Sequence, residues 1–153
     1  MKESTFDTIV ELGGGDASLA CDLLFYLKDK EGLPNKYVFF EKSDYLIKKQ
    51  KSIISEKSIS KLVDISWVSD LKDLPNEAFI ISNELFDCIP TDIIMHVPGG
   101  YQKAYINDDY KLDWKKLNFK SDSAFTDLGL PKNLPNNYIF EYSYAQRDLI
   151  NEI

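Results

Sequence analysis

Two periods run through the apolar positions of this chain. Residues 6–12 form a short apolar run in which Ile9 and Val10 are β-branched, which suits a buried strand. Gly13, Gly14 and Gly15 follow without a break. From there Leu19, Leu23, Leu24 and Leu27 recur at helical spacing, predicting a helix over residues 16–30. Lys28 and Lys30 lie at its carbonyl end, where the helix dipole favours cations. Gly32, Pro34 and Asn35 stop it. Residues 37–41 are apolar on both strand faces up to Glu41, as in a parallel sheet covered on both sides. Ser43 reads as the N-cap of a second helix from Asp44 to about Glu56. Leu46, Ile47, Gln50, Ile53 and Ile54 share one face of it, with Lys48, Lys49 and Lys51 mostly elsewhere. Residues 63–68 and 78–82 read as a third and a fourth strand.

After Pro90 the texture changes. Residues 92–97 and 101–106 flank Pro98, Gly99 and Gly100 and predict a β-hairpin. Asn107, Asp108 and Asp109 make a second turn into an extended run over 110–114. Residues 117–137, with Gly129, Pro131 and Pro135, read as a loop. Residues 138–142 read as a short extended piece, and Ser143 as the cap of a last helix through Tyr144, Leu149 and Ile150. A strand–helix–strand connection within one sheet is right-handed and gives parallel strands. The expected architecture is therefore α/β, a parallel sheet with an antiparallel β-meander appended.

The length of 153 residues suits one domain, and 44% hydrophobic residues supply a core. With 18 basic against 25 acidic residues the net charge is −7, which argues against a general nucleic-acid binder. No apolar run approaches a membrane span, and Met1 to Thr5 lack the apolar stretch of a secretory signal. Cys21 and Cys88 form no C-x-x-C pair, and His96 is the single histidine, so no metal site of Cys/His type is expected. A reducing, cytoplasmic setting is the simplest reading.

The chemistry concentrates at strand ends. A strand feeding a helix through bare glycines lets backbone approach a ligand. A dinucleotide fold wants G-x-G-x-x-G, and Ser18 stands where its last glycine belongs. Glu11, two places before Gly13, makes the pattern E-x-G-x-G. A carboxylate there repels a pyrophosphate and suits a cation, such as the sulfonium and ammonium of S-adenosylmethionine. The alternative is an ordinary glycine-rich turn. Glu41, at the end of the second strand, stands where nucleotide folds bind a ribose diol, or is a solvent-facing glutamate. Asp70, with Leu71 against the ring, suits an adenine amine; equally, Asp70 only begins the loop towards Pro75. Asn83, Glu84, Phe86, Asp87 and Pro90 crowd residues 83–90, either as part of the site or as a helical turn capped by Asn83. His96, alone within a strand, reads as structural.

With these pieces in order the chain resembles the MidA family of class I methyltransferases, which includes a mitochondrial complex I assembly factor. The family's E-L-G-x-G-x-G-x-L is matched from Glu11 to Leu19, with Ala17 at the third glycine. Its acid-x-S and glutamine-bearing helix are matched by Glu41, Lys42, Ser43 and Gln50. Its distinctive N-E-x-F-D-x-x-P is present from Asn83 to Pro90, and Glu141, Tyr142 and Ser143 resemble its E-x-S/T-P segment. The resemblance implies a Rossmann-like fold and a C-terminally truncated, partial sheet of order 3-2-1-4. It treats residues 1–153 as a single partial domain that binds S-adenosylmethionine, with 91–116 as a β-meander insertion. The implied cofactor-binding residues are Glu11, Gly13, Gly14, Gly15, Glu41, Lys42, Asp70, Leu71 and Asn83. Glu84 and Asp87 are the implied catalytic pair, gripping the guanidinium of a protein substrate, such as a respiratory complex subunit. The setting is then a bacterial cytoplasm or a mitochondrial matrix, with no nucleic acid and no membrane span. The fourth strand would have an edge to be covered by the meander, a partner chain or self-association. The rival reading is a truncated or split-gene fragment without catalysis, acting as a binding or assembly module. An NAD-dependent oxidoreductase is disfavoured by Ser18.

Overall fold

The computed structural model of the chain describes residues 7–117 and 134–153. Residues 1–6, and most of the loop expected over 117–137, lie outside the described residues. Two compact units divide the rest, one up to Cys88 and one from Ile89 to Asn151.

The first unit alternates strand and helix: β1 (Thr8–Leu12), α1 (Ser18–Asp29), β2 (Lys36–Phe40), α2 (Asp44–Glu56), β3 (Asp64–Val68) and β4 (Phe79–Ser82). The strands form one parallel sheet, as the apolar pattern predicts, in the order β3-β2-β1-β4 that the family resemblance implies. Leu12 pairs with Phe40 on one side and Ser82 on the other, and Phe40 pairs with Val68. The four strands therefore end level, and whatever follows each of them gathers at one rim. One sheet face carries Ile9, Tyr37 and Phe39, which pack with Ala20, Cys21 and Leu24 of α1 and Ile54 of α2. The other carries Val10, Leu12, Val38 and Phe40, packed with Val68, Leu71, Leu74 and Leu85. Burial on both faces accounts for the unbroken apolar run in β2.

Boundaries moved where side-chain chemistry intervened. α1 begins at Ser18 and not at Asp16, because Asp16 Oδ1 accepts from the Ser18 amide (3.1 Å) and hydroxyl (2.6 Å), while Ala17 is left-handed at φ 69°. α2 starts as expected, with Ser43 Oγ accepting from the Leu46 amide at 3.4 Å. Glu41 falls one residue past β2.

The second unit is an antiparallel sheet of β5 (Asp92–Val97), β6 (Gly100–Ile106), β7 (Leu112–Lys116) and β8 (Ile139–Tyr142), in the order β7-β6-β5-β8. The extended piece over 138–142 thus becomes a fourth strand, paired with β5. Ile94 and Tyr142 centre its core, with Tyr101, Leu117, Phe140 and Tyr144 around them. The last helix, α3 (Tyr144–Glu152), is capped by Ser143, whose Oγ accepts from the Gln146 amide at 3.1 Å and donates to the Pro90 carbonyl at 2.7 Å. His96 Nδ1 lies 3.1 Å from the Pro135 carbonyl, a structural contact.

Candidate functional site

A cleft of about 580 Å3 opens at the rim where the parallel strands end, within the size range of small-ligand pockets. Glu11, Gly13, Gly14 and Gly15 line it from β1 and its turn, with Asp16, Ser18 and Leu19 at the start of α1. Glu41 and Leu46 enter from the β2 side, and Asn83, Glu84, Leu85 and Cys88 from the segment after β4. The carboxyl rim of a parallel sheet is where open α/β folds take their ligands.

The glycine turn is built by close approach. A side-chain carbon at Gly14 would stand 2.6 Å from Phe39 Cδ1 and 3.0 Å from Glu11 Oε2. Phe39 cannot yield, being fully buried and stacked on Trp67 at 5.5 Å. Gly13 sits at φ +69°, a left-handed conformation that side chains disfavour. Its amide is not bare: it donates to the Phe40 carbonyl at 3.0 Å and continues the β1–β2 pairing.

Two carboxylates face this turn, each held by its own partners. Glu11 is 2% exposed, and its Oε2 accepts from the Tyr37 hydroxyl at 2.9 Å. Burial pushes the Glu11 carboxyl above the ordinary glutamate value, and the Tyr37 hydrogen bond opposes that rise in part. Burial likewise raises the Tyr37 phenol, with the Glu11 charge adding to it, so Tyr37 stays a donor. Glu41 is 8% exposed. Its Oε1 accepts from the Ser43 amide at 2.9 Å and its Oε2 from Gln50 Nε2 at 3.4 Å. Among the described residues no lysine or arginine lines the cleft; Lys49 pairs with Asp16 of the turn at 3.8 Å, and neither Glu11 nor Glu41 has a basic partner. A buried carboxylate without a counter-charge is costly, and a cationic ligand removes that cost. The second carboxylate, with both oxygens already oriented, suits a pair of hydroxyl donors. This pair of acceptors fits a ligand that is cationic at one end and bears a diol at the other.

Of the residues singled out by sequence, Glu11, Gly13, Gly14, Gly15, Glu41, Asn83 and Glu84 line the cleft. Lys42, Asp70, Leu71 and Asp87 do not. The Lys42 ammonium lies over the Phe40 ring at 5.6 Å. Asp70 caps the short turn Leu71–Asp73 through the Lys72 amide (3.2 Å) and pairs with the Lys72 ammonium (2.7 Å), which hold its carboxyl below the usual range. Leu71 packs into the sheet core. Asp87 lies in the exposed turn Phe86–Cys88. Glu84 holds a left-handed backbone at φ 50°, a conformation that costs energy in a non-glycine residue. Sequence reasoning missed the support behind the acids. Tyr37 carries no signal that separates it from its apolar neighbours, whereas Gln50 does: it is a polar residue on the apolar face of α2.

The model of a family described as "Putative S-adenosyl-L-methionine-dependent methyltransferase" matches residues 2–153. A solved structure of a COG1565 superfamily protein from Burkholderia thailandensis is similar in fold, with a TM-score of 0.72 at 19% identity, covering 95% of this chain and 39% of that one. A second, a COG1565 superfamily member from the same organism crystallised with S-adenosyl-homocysteine bound, gives a TM-score of 0.72 at 18% identity, covering 95% of this chain and 38% of that one. The chain thus spans about two-fifths of the length of these structures. No curated protein matches it. Among the described residues, no helix is long and apolar enough to cross a membrane. The match over residues 2–153 decides the family: the chain belongs to the S-adenosyl-L-methionine-dependent methyltransferases.

Proposed function

We propose that the cleft binds S-adenosylmethionine and serves a methyl transfer of MidA type to a protein arginine. The observation that carries this reading is the buried Glu11 carboxylate, which faces a closely packed glycine turn in a cleft that no basic side chain lines among the described residues. When bound, the cofactor supplies an electrophilic methyl group on a sulfonium. Glu11, oriented by Tyr37, holds the cationic methionine end over Gly13, Gly14 and Gly15. Glu41 holds the ribose diol, and Asn83 closes the cleft after β4. Asp70 and Leu71 are assigned to the adenine and Lys42 to the flank of Glu41. Asp70 takes that role only by releasing Lys72, and an exposed pair of this kind opens at little cost.

Methyl transfer needs an aligned nucleophile, so positioning dominates. Glu84 lines the cleft and Asp87 lies three residues on. Two carboxylates can grip a planar guanidinium and orient one nitrogen. The family analogy points to a protein acceptor, such as a respiratory complex subunit. In this reading residues 1–153 act as one cofactor-binding domain with 91–116 as an insertion.

Calorimetric titration with S-adenosylhomocysteine tests the cleft. One-site binding that Glu41→Ala weakens by about tenfold supports it, and no binding by the folded chain removes it. Transfer to arginine peptides tests the rest: Glu84→Gln and Asp87→Asn should each lower it at unchanged cofactor affinity. Binding without transfer would instead favour a binding or assembly module.

A further inference from the structure

We propose that Gln50 is the positioning residue of the cofactor cleft, setting the orientation of Glu41 and tying it to the glycine turn. The inference rests on the reading of Glu41 as the ribose-binding acid. The Gln50 side chain is fully buried. Its Nε2 donates to the Gly15 carbonyl at 3.0 Å and to Glu41 Oε2 at 3.4 Å. Its Oε1 accepts from Trp67 Nε1 at 2.9 Å. One amide thereby joins the turn after β1, the acid after β2, helix α2 and strand β3.

The chemistry allows a single orientation. Gly15 O and Glu41 Oε2 are acceptors, and the Trp67 indole is a donor only. Turning the amide over would set two acceptors against Oε1 and a donor against Nε2, so the three partners decide the assignment. Trp67 is itself held, stacked on Phe39 at 5.5 Å with the Lys51 ammonium 5.1 Å from its ring. With Ser43 fixing Oε1 and Gln50 fixing Oε2, the Glu41 carboxylate has no free rotation. Its remaining lone pairs are aimed before any ligand arrives, and pre-aimed acceptors lose less entropy on binding. Glu11 draws on a separate support, Tyr37. Gln50 should therefore weigh more on recognition of the diol, where it holds the acid itself, than on the cationic end, which it reaches only through the Gly15 carbonyl.

The test uses the 153-residue chain with S-adenosylhomocysteine and its 2′,3′-dideoxy counterpart, which lacks the ribose diol. The wild type is expected to prefer the diol ligand by about tenfold or more, roughly 1.4 kcal/mol. Gln50→Met keeps the side-chain length and removes donors and acceptor. It should collapse that preference as Glu41→Ala does, with the larger part of the loss falling on the diol ligand and a smaller one, from the lost Gly15 bond, shared by both. In the double variant the loss should be no larger than in Glu41→Ala alone. Where Gln50→Met fails to fold, Trp67→Phe, which frees the Gln50 amide, carries the same ratio test. An unchanged preference in the folded variant overturns the proposal, and so does an equal loss on both ligands, the mark of a merely structural role. A wild type that binds neither ligand, or whose preference survives Glu41→Ala, overturns the reading of Glu41 and this inference with it.

Discussion

Glu11 sets stability against binding within one side chain. Its carboxyl is raised above the ordinary value of 4.5 because burial penalises the charge. Between 4.5 and that raised value the folded chain binds more protons here than the unfolded chain does. The stability contribution is therefore full below 4.5 and lost as pH rises through the folded value. Glu11→Gln removes the loss and should raise stability near neutral pH, read from urea unfolding across a pH series. Binding runs the other way. Affinity for S-adenosylmethionine should fall as pH drops through the raised Glu11 value, because the neutral acid no longer attracts a cation. Glu11→Gln should bind weakly with no such slope. Gly14 has a different constraint, space alone. A methyl group there meets the immobile Phe39 ring at 2.6 Å. Gly14→Ala should cost about 1–3 kcal/mol, read as a lower urea midpoint at an unchanged slope. Ala17 shows the opposite case. It holds φ 69° although it is not glycine, and its methyl group is fully buried, which offsets part of the conformational cost.

At the scale of elements, helix ends carry more than their own helices. Ser143 satisfies the first turn of α3 and also the Pro90 carbonyl. Ser143→Ala should cost about 1 kcal/mol, with faster amide exchange confined at first to α3. Ser43 caps α2 in the same way, and its own amide holds Glu41 Oε1. That cap is legible in sequence as a serine before an amphipathic run. Its contact with the acid two residues earlier is not, because it depends on how the chain bends between β2 and α2. Gln50 follows the same division. The helical period places it on the buried face, and a polar side chain among Leu46, Ile47, Ile53 and Ile54 signals a specific partner. Which partners it finds is settled by the packing of α2 against the sheet.

For the whole molecule, the parallel sheet raises the question of its edge. Among the described residues β4 pairs with β1 alone, with Ile80 37% exposed. An apolar edge strand invites pairing with another chain. Concentration-dependent self-association is expected in sedimentation velocity, and Ile80→Lys should suppress it while leaving S-adenosylhomocysteine affinity within about twofold. The net charge of −7 opposes non-specific clustering, so association already present at low salt, where that repulsion is least screened, would point to strand pairing.

By itself the sequence determined the local elements and the class of chemistry. Apolar period, glycines and caps are short-range properties, and they place β1, α1, β2, α2, the β5–β6 hairpin and the acids Glu11 and Glu41 at strand ends. Tertiary structure decided what those acids touch. The level register of four strands brings Glu11, Glu41 and Asn83 to one rim, and through-space packing delivers Tyr37 and Gln50 behind them. It also enlisted residues 139–142 as a fourth strand beside β5, a pairing across more than forty residues that no local signal records. Asp70 is a different case, a competition settled locally. Its position after β3 suits an adenine contact, yet Lys72, two residues on, takes both the capping bond and the ion pair. Hydrogen bonds between distant residues depend on which strands become neighbours, and that is a property of the assembled sheet, not of any window of the chain.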